Sequence, residues 1–179
     1  LIAVLLSVSL VCSMLGLLTP PALAIEPPTW SRTYGGLGGK IAHLSDGGFA
    51  LLGPIKDPTT TNDCLRVLRL DADGEALFDR RYCGGGKDTP RDIAATPDGG
   101  FVAVAETTSF GLGYSDGWVL KFDAAGEIEW QYAIGTENTD WMRAVRVTSD
   151  GHYALVGTLN DTGSRDAWLI KMSAAGAVL

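Results

Sequence analysis

The chain has 179 residues, and its 14 Lys and Arg against 21 Asp and Glu give a net charge of −7 at pH 7. This acidity argues against nucleic acid as a partner, because surfaces that bind nucleic acid carry basic patches. Binding to an anionic membrane surface is disfavoured for the same reason.

The first 24 residues have the pattern of a secretory signal peptide. Residues 1–18 are apolar or small and carry no charge, residues 19–21 are Thr-Pro-Pro, and Ala22-Leu23-Ala24 matches an A-x-A cleavage site. We expect cleavage after Ala24, which leaves residues 25–179 as one domain that is secreted, periplasmic or part of the cell envelope. The alternative is a retained anchor, since about 18 apolar residues approach the length that spans a bilayer. Contact with a membrane is then expected only through this uncleaved segment.

The rest of the chain contains an internal repeat of about 50 residues. One turn recurs at residues 46–50 (DGGFA), 98–102 (DGGFV) and 150–154 (DGHYA). A second marker follows each turn, at residues 69–74 (RLDADG), 121–126 (KFDAAG) and 171–176 (KMSAAG). The same order of markers in all three units predicts a repeat protein.

Each unit predicts four short strands, named here a to d. In the second unit they are predicted at residues 92–95, 101–105, 118–122 and 128–132, which are rich in β-branched, small or alternating apolar residues. The Asp-Gly and Ala-Gly endings supply the positive φ that tight hairpin turns require. No stretch after Ala24 shows a sustained helical period. The expected fold class is therefore all-β, built from the four-stranded antiparallel blades of a β-propeller.

The repeat resembles those of bacterial and archaeal secreted β-propeller proteins. The resemblance rests on the D-G-G-[FY] turn, on the D-x-x-W-[LV]-x-K strand and on Asp123-x-x-Gly126-x-x-x-Trp130, which is similar to the tryptophan-docking motif of quinoprotein-like propellers. The resemblance covers roughly residues 30–179 and implies that Trp130 packs between blades in a structural role. It implies a fold rather than a function.

The order of the strands predicts an incomplete propeller of about three blades. The pattern begins with a d strand at residues 30–34 and continues as abcd, abcd and abc up to Leu179. Because a ring needs about four to eight blades, we expect the sequence to be a fragment, with the remaining blades in the same chain. The alternative is a ring shared by two chains.

The repeats separate a uniform rim from a variable one. The a–b and c–d turns are nearly identical among the units, whereas the b–c and d–a loops at the other end of the strands differ. Because binding groups concentrate on loops held by a rigid frame, we expect an unknown protein or glycan to bind the variable rim. The candidate binding residues are Lys40, Asp88, Arg91, Asp92, Asp140, Trp141 and Arg143. The alternative is that they are solvated loop residues and salt bridges between blades.

The two cysteines after the signal segment flank the c–d hairpin of the first unit. If Asp71 pairs with Ala76, the same register places Cys64 opposite Cys83 on neighbouring strands, within reach of a disulfide. We therefore expect a Cys64–Cys83 disulfide, in keeping with an exported protein.

The sequence predicts no catalytic centre, metal site or cofactor. The two histidines, His43 and His152, occupy different positions of the repeat and are not expected to converge. Residues 71–75 (DADGE) begin like a calcium loop, but Tyr82 stands where a bidentate Glu would be needed, so a hairpin turn is expected. The function expected is that of an exported, non-catalytic binding or interaction module. The alternative is the scaffold of a quinoprotein-like or hydrolytic enzyme whose active residues lie outside this sequence.

Overall fold

Three antiparallel β-sheets follow one another along the chain in the computed structural model, which describes residues 31–161 and 163–179. The first sheet contains β1 (Lys40–His43), β2 (Phe49–Lys56), β3 (Asp63–Leu70) and β4 (Ala76–Tyr82). The second contains β5 (Asp88–Ala95), β6 (Phe101–Thr107), β7 (Asp116–Phe122) and β8 (Ile128–Ile134). The third contains β9 (Trp141–Val147), β10 (Tyr153–Leu159) and β11 (Asp166–Met172).

In every sheet each strand pairs with the next one along the chain, as in the blades of a propeller. Sheets of four, four and three strands, without a helix among the described residues, confirm the all-β fold and the incomplete propeller-like arrangement. A bridge between Met172 and Val178 adds the beginning of a fourth strand to the third sheet. Residues 34–179 form one compact unit.

Two of the predictions concern the N-terminal part of the chain. The signal peptide and Trp30 lie outside the described residues, and residues 31–34 of the predicted first d strand form no strand. The described part of the chain contains no apolar helix of membrane-spanning length.

The second sheet is covered on both faces, which explains the continuous apolar run in β6. Because side chains alternate along a strand, Phe101, Ala103 and Ala105 face a core shared with the first sheet. Val102 and Val104 face a second core shared with the third sheet. All five residues are fully buried. Burial on both faces therefore replaces the usual alternation of apolar and polar residues with an unbroken apolar segment.

The last strand of each complete sheet docks on the c–d turn of the next sheet. The hydroxyl of Tyr82 in β4 donates to the Gly126 carbonyl at 2.6 Å, and the indole Nε1 of Trp130 in β8 donates to the Ala174 carbonyl at 3.1 Å. Tyr34 repeats the first contact, since its hydroxyl donates to the Gly74 carbonyl at 2.6 Å. Trp130 thus packs between sheets, as the resemblance implies.

Six hairpin turns share one geometry, in which a glycine with positive φ donates its N–H to the carbonyl three residues earlier. These glycines have φ between 76° and 85° and are Gly47, Gly74, Gly99, Gly126, Gly151 and Gly176. The predicted pair Asp71–Ala76 is wrong by one residue, because Asp71 pairs with Glu75 and Leu70 with Ala76. A bulge beside Leu70 then restores the predicted register further along β3 and β4.

Candidate functional site

The ends of the strands define two rims, which we call the uniform and the variable rim. The uniform rim carries the six hairpin turns. The variable rim carries the loops at residues 57–62, 108–115 and 160–165 within sheets, and the segments at residues 35–39, 83–87 and 135–140 that precede β1, β5 and β9. Of the seven candidate residues only Asp140 lies in such a loop. Lys40 is the first residue of β1, and Asp92 lies in β5, where a strand was predicted. The other four lie in strands because β5 and β9 begin earlier than predicted, pairing with the extended ends of β6 and β10.

An ion pair within each sheet explains the uniformity of the first rim. The aspartate of each a–b turn pairs with a cation at the end of strand c. The pairs are Asp46–Arg69, Asp98–Lys121 at 2.8 Å and Asp150–Lys171 at 2.6 Å. The same carboxylates accept backbone hydrogen bonds inside their turns. A hydrogen bond from Gly48 N–H, together with Arg69, lowers the pKa of Asp46, and bonds from Lys171 and Thr148 lower that of Asp150. The recurring turn residues therefore form contacts inside the fold.

Asp88 and Asp140 occupy equivalent positions and tie together two loops of the variable rim. Both side chains are fully buried. Asp88 accepts hydrogen bonds from Gly84 N at 2.7 Å and Thr107 Oγ1 at 2.5 Å. Asp140 accepts hydrogen bonds from Thr136 N at 2.5 Å and from Asn160 N at 2.6 Å. Both buried carboxylates therefore stabilise the loops of the variable rim through hydrogen bonds inside the fold.

Two more candidates form salt bridges, one within a sheet and one between sheets. Arg91 in β5 pairs with Glu106 in β6, within the second sheet. Asp92 reaches the third sheet, where it accepts hydrogen bonds from Val145 N at 3.1 Å and from Arg146 Nη1 at 2.6 Å. Lys40 is exposed at the start of β1.

Trp141 and Arg143 come together with a third residue that the sequence analysis did not single out. The guanidinium carbons of Arg143 and Arg165 lie 5.1 Å and 5.0 Å from the centroid of the Trp141 ring, within the range of cation–π attraction. Trp141 is half-buried, and both arginines are exposed. Arg165 comes from the loop before β11, so its proximity could be found only from the pairing of β10 with β9 and β11.

A buried carboxylate at the start of β7 is a second feature that the sequence analysis missed. Asp116 Oδ2 accepts a hydrogen bond from Gly113 N at 3.0 Å, but its buried Oδ1 has no partner among the described residues. A Cβ on Gly135 would overlap Asp116 Oδ1 and lie 3.0 Å from Asp140 Oδ2, so the two carboxylates flank this glycine. Burial, with the charge of Asp140, raises the pKa of Asp116. The equivalent residue in the first sheet is Cys64, which forms the disulfide. This equivalence between repeats is the sequence feature that could have drawn attention to Asp116.

We expect Asp116→Asn to raise the Tm of the protein at neutral pH. Because the pKa of Asp116 is raised, the folded state holds this proton more tightly than the unfolded state, and stability falls as pH rises through the raised pKa. Asparagine avoids that loss, so its advantage should shrink as pH falls from about 7 to about 4. Thermal unfolding across this range tests the expectation, with exposed Asp166→Asn as control. An advantage that is independent of pH, or shared by the control, contradicts it.

Two shallow depressions lie on the variable rim. One, of about 340 Å³, is formed by Gly35, Gly36, residues 54–56, Asp63 and Arg66. The other, of about 360 Å³, is formed by Leu112, Gly113, Tyr114 and Glu137. In the second depression Leu112 and Tyr114 expose 79% and 83% of their surface, which is unusual for side chains of this size.

The predicted disulfide is present. Cys64 and Cys83 are bonded, with a Cα–Cα distance of 4.8 Å. The Asp57 carboxylate lies within 4.8 Å of the two sulfurs, but a disulfide offers no thiolate to a metal ion. The histidines lie apart in the repeat, with His43 in β1 against the Phe49 ring at 5.3 Å and His152 beside the a–b turn of the third sheet.

Comparison with known proteins finds a structure with a similar fold but no matching family. No known protein family and no curated protein matches the chain. A crystal structure of a protein of unknown function from Bacteroides caccae is similar, with a TM-score of 0.50 and 12% sequence identity. The similarity covers 84% of this chain and 48% of that one, so the chain spans about half the length of that protein. At this identity the likeness concerns the fold alone.

Proposed function

We propose that the chain is an exported, non-catalytic β-propeller module of the cell envelope or extracellular space that binds a protein or glycan on its variable rim. The contrast between the two rims carries this proposal. On the uniform rim the recurring aspartates and cations pair with each other. On the variable rim the loops differ in chemistry, and exposed Leu112 and Tyr114 line a depression. Near this rim Arg143 and Arg165 lie against the Trp141 ring without a counter-ion among the described residues.

Export is supported by the disulfide and by the N-terminal sequence. A disulfide persists in oxidising compartments such as the periplasm and the extracellular space. Expression of the whole sequence in a bacterium, followed by fractionation and mass spectrometry, should give an exported protein that begins at Ile25. A protein retained in the cytoplasm with both cysteines reduced would contradict this part of the proposal.

The binding function is tested with arrays of envelope polysaccharides and peptides. We expect a bound ligand to be lost when the rim variant Leu112→Ser/Tyr114→Ser replaces the wild type, because these two exposed side chains provide the apolar contact of the second depression. The matched control is Ala124→Ser/Ala125→Ser on the exposed c–d turn of the same sheet, which should bind as the wild type does. Loss of binding in the control, with retention in the rim variant, would show that the ligand binds the uniform rim and would contradict the proposal.

A further inference from the structure

One strand position near the variable rim carries arginine in both the second and the third sheet, but the charged residues around it differ. Arg91 and Arg143 occupy the same bulge, since the pairing of strand a with strand b shifts by one residue at each of them. A bulge re-aims a side chain away from the regular alternation. The two guanidinium groups therefore start from equivalent points of the rim.

In the second sheet this arginine has an internal counter-ion. The Arg91 guanidinium pairs with Glu106 in β6, and the other oxygen of that carboxylate accepts a hydrogen bond from Ser115 Oγ at 3.1 Å. Glu106 therefore supplies a counter-ion to Arg91 from inside the same sheet, although the buried Nε of Arg91 has no partner among the described residues.

In the third sheet no described residue replaces this counter-ion, and a second cation is added. Thr158 stands in β10 where Glu106 stands in β6, and Arg165 precedes β11 as Ser115 precedes β7. Trp141 replaces Thr89, the residue that pairs with Glu106 in the second sheet. The same place on the rim thus changes from one arginine and one glutamate to two arginines around an indole.

Neither arginine of this cluster finds a counter-ion in the described part of the chain. Arg143 and Arg165 contact the Trp141 ring and form no ion pair or hydrogen bond with a described residue. The nearest acids in sequence are engaged elsewhere or free of contact with them, since Asp140 accepts Asn160 N at 2.6 Å and Asp166 accepts Ser164 Oγ at 3.0 Å. Two exposed like charges therefore lie against one indole ring, without a described counter-ion, in a protein of net charge −7.

We propose that Trp141, Arg143 and Arg165 bind a glutamate side chain in an acidic peptide segment of a partner protein. The carboxylate takes the place that Glu106 takes in the second sheet, and the guanidinium groups match it with paired N–H donors. Trp141 supplies the apolar contact, and Trp and Arg are the residues that most often anchor protein interfaces. The inference rests on the proposed binding function and names its ligand.

The experiment measures fluorescence anisotropy of a labelled hexaglutamate peptide with the purified protein at low ionic strength. Hexaglutamine is the uncharged control, and a hexagalacturonate oligosaccharide is the competitor that carries the same carboxylates on a sugar. We expect binding of hexaglutamate that weakens with added salt, and no binding of hexaglutamine. We expect hexagalacturonate to compete poorly.

The variants separate this site from general charge attraction. Arg143→Gln/Arg165→Gln should weaken binding by about tenfold or more, because two charge-assisted contacts are lost. Arg146→Gln removes the same charge in the same sheet from a residue already paired with Asp92, and it should change the affinity by less than about twofold. Thr158→Glu supplies the counter-ion from within and should also abolish binding, whereas Thr158→Gln of equal size should not.

Three results would overturn the inference. They are no binding of hexaglutamate, equal binding by Thr158→Glu and Thr158→Gln, and binding of hexagalacturonate alone through the two arginines, which would make the ligand a glycan. Circular dichroism of each variant checks folding, and the pair at position 158 keeps the test valid if the double arginine variant unfolds. Failure here with intact binding at Leu112 and Tyr114 leaves the proposed function standing.

Discussion

Replacing both Cys64 and Cys83 by alanine should lower the free energy of unfolding by about 3 kcal/mol, the value expected for a cross-link between residues 19 apart. The bond joins the variable-rim ends of β3 and β4, where Leu65 pairs with Tyr82. Without it the unfolded chain gains freedom, and the last pairs of this hairpin can separate. Urea denaturation of the wild type and the double variant measures the difference.

Reduction provides the matched control for this prediction. Dithiothreitol should destabilise the wild type by a similar amount and leave the double variant unchanged, since the variant has no disulfide to lose. Thiol titration of the unfolded, unreduced chain should find only Cys12, if that residue is still present. Two further thiols would contradict the disulfide.

In the second sheet the position of the disulfide is occupied by residues without sulfur. Asp116 and Gly135 stand where Cys64 and Cys83 stand in the first sheet, and the carboxylate lies against the glycine in place of the covalent bond. The third sheet keeps Asp166 at this position, exposed. One backbone position thus carries a disulfide, a buried carboxylate and a solvated carboxylate in three successive sheets. The scaffold fixes the position, and the loops beside it decide the chemistry.

The strands and turns could be predicted because their causes are local. An Asp-Gly or Ala-Gly turn and the apolar residues that follow it specify a hairpin within about ten residues. The disulfide could be predicted for the same reason, since the bulge that displaces Leu70 opposite Ala76 leaves the register of Cys64 and Cys83 intact. Two-sided burial of β6 could also be inferred from its unbroken apolar run.

The contacts of the rims depend on residues from different strands and could not be predicted from local pattern. The sequence analysis found the turn aspartates and the cations of strand c as separate markers without pairing them, although both recur in every unit. It placed Trp141 and Arg143 on the variable rim, but Arg165 joins them only through the pairing of β9, β10 and β11. Comparison of equivalent positions among the sheets supplied the missing information.

Replacing Lys121 by methionine should cost about 2 kcal/mol, because it removes the centre of a partly buried charge network. The Lys121 side chain is 1% exposed, and its Nζ donates to Asp98 at 2.8 Å, to Glu129 at 2.9 Å and to the Phe122 carbonyl at 2.9 Å. Methionine keeps the length of the stem and so leaves no large cavity. The two carboxylates are about half exposed and can regain water, which keeps the cost below that of breaking a fully buried pair.

The equivalent pair in the third sheet is the control. Lys171 and Asp150 are each 47% exposed, so Lys171→Met should change the midpoint of urea denaturation far less than Lys121→Met does. Equal effects of the two substitutions would show that burial is not the cause.

The pH dependence of the stability difference between the wild type and Lys121→Met gives an independent check, and its sign can be predicted. Burial opposes the charged form of Lys121, but its bonds to Asp98 and Glu129 outweigh burial and raise its pKa. A raised pKa means that the lysine contributes stability below its unfolded value of about 10.4 and loses that contribution as pH rises through the folded value. Burial also opposes the charged form of Asp98, but Lys121 and Thr96 outweigh it and lower that pKa, so its contribution is lost as pH falls below about 4. The difference in the free energy of unfolding between wild type and Lys121→Met should therefore be largest between these two pH limits and smaller above and below them. A difference that is constant with pH would show that the cost comes from the packing of the side chain rather than from its charge.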